Sequence, residues 1–189
     1  MSRVDGARAT MPAPARGSAS VRATGVILAW AAIELVLHLG WEIAQLPLYT
    51  IAGDPDRAYV VRAVLHCTAG DGLIALAAYA VAAVALRDAR WPLHHGLRGV
   101  FFATVTALAY TAFSEWNNVY VEGNWAYREA MPRLLGIGLA PLAQWLLLPS
   151  AGVWLLRRFF GTARVRRAGS APCGNGRKLD GRNCGHDVG

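Results

Sequence analysis

The sequence predicts an all-α protein: a four-helix transmembrane bundle with both ends of the chain on one side, N-in/C-in. Three observations carry this reading. First, the 189 residues are 54% hydrophobic and only 16% charged, with a mean hydropathy of +0.29, whereas soluble domains carry about a quarter charged residues. Second, apolar runs recur at 24–46, 60–86, 97–116 and 133–157, each of a length near the ~20 helical residues that cross a hydrocarbon layer. Third, the 19 basic residues are unevenly placed. The N-terminal arm, the second connection and the C-terminal end hold fifteen, against four (Arg57, Arg62, Arg128, Arg133) in the other two connections. The positive-inside rule therefore places both termini in the cytoplasm, which requires an even number of spans.

Each element follows in order. Residues 1–23 are rich in Ala, Arg, Pro, Gly and Ser without apolar periodicity, and are expected to form a disordered basic arm. The bundle is expected over 24–158. Its first span is too long for a signal-peptide core, contains Glu34 and ends in LPLY rather than a small-residue cleavage site. The second is lined with alanines (Ala75, Ala77, Ala78, Ala80, Ala82, Ala83) that let helices pack closely. The third is the shortest, its uninterrupted apolar core running from Val100 to Phe113. The connection after it, SEWNNVYVEGNWAYREAMP, is the most aromatic and polar in the chain, suited either to capping the outer mouth or to interfacial anchoring. In the fourth span Pro141 and Pro149 predict kinks. Residues 159–189 are expected to form a second disordered basic tail. Lys178 is the one lysine among the basic residues, an arginine bias typical of high-GC bacterial genomes. The expected location is thus a bacterial cytoplasmic (inner) membrane.

Several classes are excluded. The net charge of +7 resides at the two ends and in one loop, with no basic stripe interleaved with aromatics, so no nucleic-acid partner is expected. Three cysteines are too few for a disulfide framework; Cys67 reads as a small apolar residue within a span. Cys173, Cys184 and His186 have no familiar zinc spacing and read as part of a solvated tail. His94 and His95 read as surface residues. No motif implies a cofactor, and the expected partners are the bilayer, a lipid-like small molecule and, for any transport role, further copies of the chain.

The candidate site begins in HLGWEIAQLPLY, residues 38–49. At ~100° per residue, Glu34, His38, Glu42, Gln45 and Tyr49 share one helical arc. Facing lipid, even one central carboxylate costs about 2.5–3.5 kcal/mol, so the stripe must face the bundle interior or a hydrated cavity. His38, Glu42 and Glu34 are the catalytic candidates; His66, Asp71, Glu115, Gln144, Trp41 and Trp145 are the binding candidates. Counting depth from the outer boundary pairs His38 with His66, and Glu34 with Asp71 near Gln144, while Glu115 lies near the level of Glu42. Thr104, Thr111 and Glu115 share a face of the third span. His66 and Asp71, five residues apart, sit about 140° apart on an ideal helix and cannot both point at one spot. Gln144 and Thr104, taken alone, read as interhelical hydrogen-bonding residues.

His38-x3-Glu42 followed by aromatics, with Trp145-Leu-Leu-Leu-Pro149, resembles the sterol-isomerase (emopamil-binding, EXPERA) proteins over about twenty residues. Those are membrane helix bundles in which a His/Glu arrangement shifts a sterol double bond. The family's Asn three residues before the Trp is Leu142 here, and its second-span Glu has no equivalent. The combination W-E-x-x-Q-L-P-L-Y, H-C-T-A-G-D and P-L-A-Q-W-x3-P also resembles uncharacterised bacterial four-span membrane proteins, a likeness that supplies no activity. The function expected is acid/base chemistry on, or binding of, a lipid-like molecule, in a pocket open outward because the inner half of the second span is apolar. The alternatives are a proton or metal-ion carrier, and a non-catalytic membrane scaffold.

Overall fold

A computed structural model describes the backbone of residues 16–169 and the side chains of residues 23–160. The expected arm and tail fall largely outside these residues, as do Cys173, Cys184 and His186. The chain divides into two compact units, 1–157 and 158–189. In the second, helix continues to Gly169; the site lies wholly in the first.

The architecture is an all-α four-helix bundle. Helix α1 (Arg16–Gln45) starts before the expected boundary at residue 24. Two single 3₁₀ turns, Leu46–Leu48 and Thr50–Gly53, lead to α2 (Arg57–Leu86), whose N-terminus is capped by the Asp56 carboxylate accepting from the Tyr59 N–H at 3.0 Å. Arg87, in the left-handed conformation usual for glycine, ends α2. A one-turn helix, α3 (Trp91–His94), precedes α4 (Gly96–Trp116). A π-helical turn, Asn117–Val121, prolongs α4, so the segment expected to be the weakest span reaches 26 residues.

The fourth span begins later than the 133 expected. Arg133–Leu134 (β1) and Ile137–Gly138 (β2) form a small antiparallel hairpin. Its turn residues Leu135 and Gly136 both have positive φ, as a two-residue type I′ turn requires. Helix α5 (Leu139–Gly169) follows. Pro141 thus occupies the first turn, where its missing N–H costs no helical bond, and of the two expected kink sites only Pro149 is interior.

The helices close a ring in the order α1–α2–α4–α5. Close α1–α2 and α2–α4 packing makes two sides. Thr104 Oγ1 donating to the Trp145 carbonyl joins α4 to α5, and Trp41 Nε1 donating to the Ala140 carbonyl joins α5 to α1, both at 3.2 Å. All four helices are long and apolar enough to cross a membrane. At the end carrying α3, Trp30, Tyr79 and Trp91 form a buried aromatic cluster with ring centroids 5.3–5.6 Å apart. Gly99 admits Trp91, since a Cβ there would lie 1.8 Å from the indole.

Candidate functional site

The stripe on α1 is buried as one face. Glu34 and His38 are fully buried and Gln45 and Tyr49 nearly so, while Leu35, Val36 and Ile43 between them point outward. On α2 the buried face follows Thr68, Ala75, Ala78, Tyr79 and Ala82 at helical spacing, and Asp71 falls in phase with it. Asp71 therefore turns inward and His66 is exposed. This corrects the expected depth pairs: His38 faces Asp71, with no His38–His66 contact, and Glu34 sits against α5. Asp71 lies in phase with the small-residue seam of α2, whereas His66 sits at its exposed edge and still borders the cavity.

His38 is the centre of the buried network. Its Nε2 lies 3.5 Å from Glu34 Oε2, and its Nδ1 lies 3.5 Å from Asp71 Oδ2. The Gln144 amide nitrogen bridges these groups, contacting His38 Nδ1 and donating to Asp71 Oδ2 at 2.7 Å. The ring thus has Asp71 and the Gln144 amide on its Nδ1 side and Glu34 on its Nε2 side. The Trp145 ring packs against His38 at 4.5 Å between centroids. Glu34 occupies a recess made by Gly152 of α5, where a Cβ would stand 1.9 Å from Oε1. Neither Glu34 oxygen accepts a hydrogen bond.

Nearer the opposite end, Gln45 Nε2 donates to Glu42 Oε1 at 2.7 Å, and Trp41 Nε1 also donates to Gln45 Oε1 at 3.2 Å. Glu42 lies within interacting reach of Asp71 and Glu115. Glu115 of α4 accepts from the Tyr127 hydroxyl at 2.5 Å, with Tyr49 and Trp125 turned toward the same carboxylate. Burial first, and then Glu115 beside them, push the Tyr49 and Tyr127 phenols up, so both remain protonated and able to donate. The long aromatic connection lies over this end: Thr50 N–H donates to the Ala126 carbonyl and Arg128 N–H to the Leu48 carbonyl, both at 2.9 Å. Asn124 and Trp125 of this connection also border the cavity.

These groups surround a cavity of about 990 Å³. Its polar lining includes Glu42, Asp71, Glu115, Gln45, Gln144 and Thr111; its apolar lining includes Leu73, Ile74 and Ala77 of α2 with Tyr110 of α4. Arg62, His66, Asn124 and Trp125 also line it. The expected residues therefore separate by role. Glu42, Asp71, Glu115, Gln144 and His66 reach the cavity wall. His38 and Glu34 lie behind Asp71 and Gln144, while Trp41 and Trp145 support the polar groups from outside the cavity. Among the described residues no three His, Cys, Asp or Glu side chains converge as a metal-ligand set.

Thr111 and Glu115, which share a face of the third span in the sequence, both border the cavity. Two contributors escape the sequence reading of the site. Tyr127 stands out there only as an interfacial aromatic. Gly152 leaves a single trace, a glycine inside a helix, where it costs about 1 kcal/mol relative to alanine. Comparison with known proteins adds nothing to this geometry: no family model, curated protein or solved structure matches the chain.

Proposed function

We propose that the chain is a multi-pass protein of a bacterial cytoplasmic membrane, with cytoplasmic termini, that takes a lipid-like molecule into this cavity and performs acid/base chemistry on it. The observation that carries the reading is the cavity's mixed lining. Carboxylates and amides line it together with apolar side chains such as Leu73, Ile74 and Ala77, so an amphipathic molecule matches both. A membrane setting is supported by the outward faces: only 22–44% of the most apolar window of each long helix is buried within the bundle, and water would meet the remainder at high cost.

The residues divide the chemistry between them. Asp71 and Glu42 face the bound molecule and exchange protons with it. His38 passes a proton between Asp71 and the enclosed Glu34, with Gln144 fixing the ring. The carrier reading is opposed by the Trp30–Tyr79–Trp91 cluster, which fills the bundle on the far side of Glu34. The scaffold reading leaves the cavity and its carboxylates without a role.

Proton transfer to carbon leaves an isotopic record. Purified protein incubated with a bacterial membrane lipid extract in heavy water should introduce deuterium into a distinct lipid species, as read by mass spectrometry. Asp71→Asn should abolish that uptake with the fold retained. Absence of enzyme-dependent deuteration in every lipid species would overturn the catalytic reading.

A further inference from the structure

The cavity is not closed on all sides. The residues of α1 and α5 that line it, Glu42, Gln45, Pro141 and Gln144, are buried or half-buried. On α2 the lining runs almost halfway round the helix. Measured from Asp71 at ~100° per residue, Cys67 lies about 40° round, Ile74 about 60°, Gly70 about 100°, and His66 and Leu73 about 140–160°, all in one direction. Exposure rises along this arc: the Asp71 side chain is 14% exposed, Cys67 and Ile74 are half-buried, and Leu73 is 69% exposed. Helix α4 repeats the progression, from Thr111, 6% exposed, to Tyr110, about 100° further round and 54% exposed. The cavity therefore passes between α2 and α4 to their outer faces. Toward the α3 end, the small buried residues Ala78 and Ala82 of α2 and Ala103 of α4 let the two helices close together again.

Two features of this slit bear on what enters it. Its edges are apolar: Leu73, Ile74 and Ala77 on α2 and the Tyr110 ring on α4, with the nearby Thr106 hydroxyl spent on the Phe102 carbonyl at 2.8 Å. An ion or a strongly hydrated solute would lose water there without replacement, whereas a hydrocarbon chain would not. The second feature is Gly70. Gly99 and Gly152 each admit a side chain of the bundle, but a Cβ at Gly70 would meet nothing within 4 Å. The helix gives up propensity at Gly70, and the space so left adjoins the cavity. Leu73 falls near the middle of the 30-residue α2, so in a membrane-spanning bundle the slit opens onto hydrocarbon rather than water.

We infer that the slit between α2 and α4 is a lateral mouth, through which the hydrocarbon chain of a lipid passes from the surrounding bilayer into the cavity between Leu73 and Tyr110. The inference rests on the membrane setting and the lipid-like occupant proposed above, and specifies the route by which that occupant enters.

Photolabelling tests this. The full-length protein is reconstituted in phosphatidylcholine vesicles containing a hexadecanol derivative with a diazirine in its chain, and labelled residues are located by peptide mass spectrometry. Interior labelling at Cys67 and Asp71 should accompany labelling of Leu65 and Leu76, which are exposed on α2 away from the slit. Gly70→Phe, whose ring fills the slit, should reduce interior labelling several-fold and leave Leu65 and Leu76 unchanged. Tyr110→Ala, which widens the slit from α4, should raise interior labelling, and it carries the test should the first variant fold poorly. Interior labelling that is equal in the wild type and both variants would overturn the lateral mouth and leave lipid binding intact. Wild-type labelling confined to Leu65 and Leu76 would instead overturn the lipid-like occupant itself.

Discussion

Gly152 and Glu34 show how closely single residues define this site. A glycine in the interior of α5 gives up helix propensity, and in exchange its missing Cβ admits a carboxylate from α1. Gly152→Ala should therefore cost about 1–3 kcal/mol through overpacking, seen as a lowered melting temperature. The double variant Glu34→Ala/Gly152→Ala should recover most of that loss, because the clashing oxygen is gone; equal melting of the single and double variants would show that the contact is not the cause. Asp88 permits a prediction with a definite sign. Partial burial opposes its ionisation, but the Arg90 N–H and His94 outweigh this and hold its carboxyl below the usual range. A lowered folded-state value stabilises above the unfolded value, and that contribution is lost as pH falls through the folded value. Asp88→Asn should flatten the acid side of the melting-temperature profile.

The packing of each helix shows what its sequence pattern could and could not specify. The stripe on α1 was legible because charge in an apolar run has one tolerable direction, and Glu34, His38, Glu42 and Gln45 sit on one face. The partner of His38 was not. Depth along the helices suggests a simple register, whereas the buried seam of α2 is set by its alanines, and that phase brings Asp71 against His38 and leaves His66 at the exposed edge of the cavity. The start of α5 was also hidden, because Arg133–Gly138 is apolar enough to extend a span yet its Leu135-Gly136 turn makes a hairpin. At the far end, α3 is a plug whose position depends on Gly99. Trp91→Ala should cost about 3–5 kcal/mol, the usual range for a buried tryptophan, and thermal unfolding of the purified variant measures it. Little change would mean that the Trp30–Tyr79–Trp91 cluster does not hold this end of the bundle.

At the scale of the whole molecule, the four-helix class follows from composition, span length and charge asymmetry, since those quantities do not depend on side-chain register. The cavity does, so its existence and its lining became visible only in three dimensions. Topology should follow the charge: reporters fused after Arg90 and after Glu122 should register opposite sides of the membrane, and a shared side would contradict the four-span arrangement. The proposed activity requires the cavity of about 990 Å³ to hold a lipid-like molecule. Native mass spectrometry of protein released from its own membrane measures this most directly. One amphipathic molecule should remain bound per chain in the wild type and be missing from Ala77→Trp, whose indole would fill the apolar wall. Wild-type protein without a bound molecule, or equal occupancy in the blocked variant, would contradict the account.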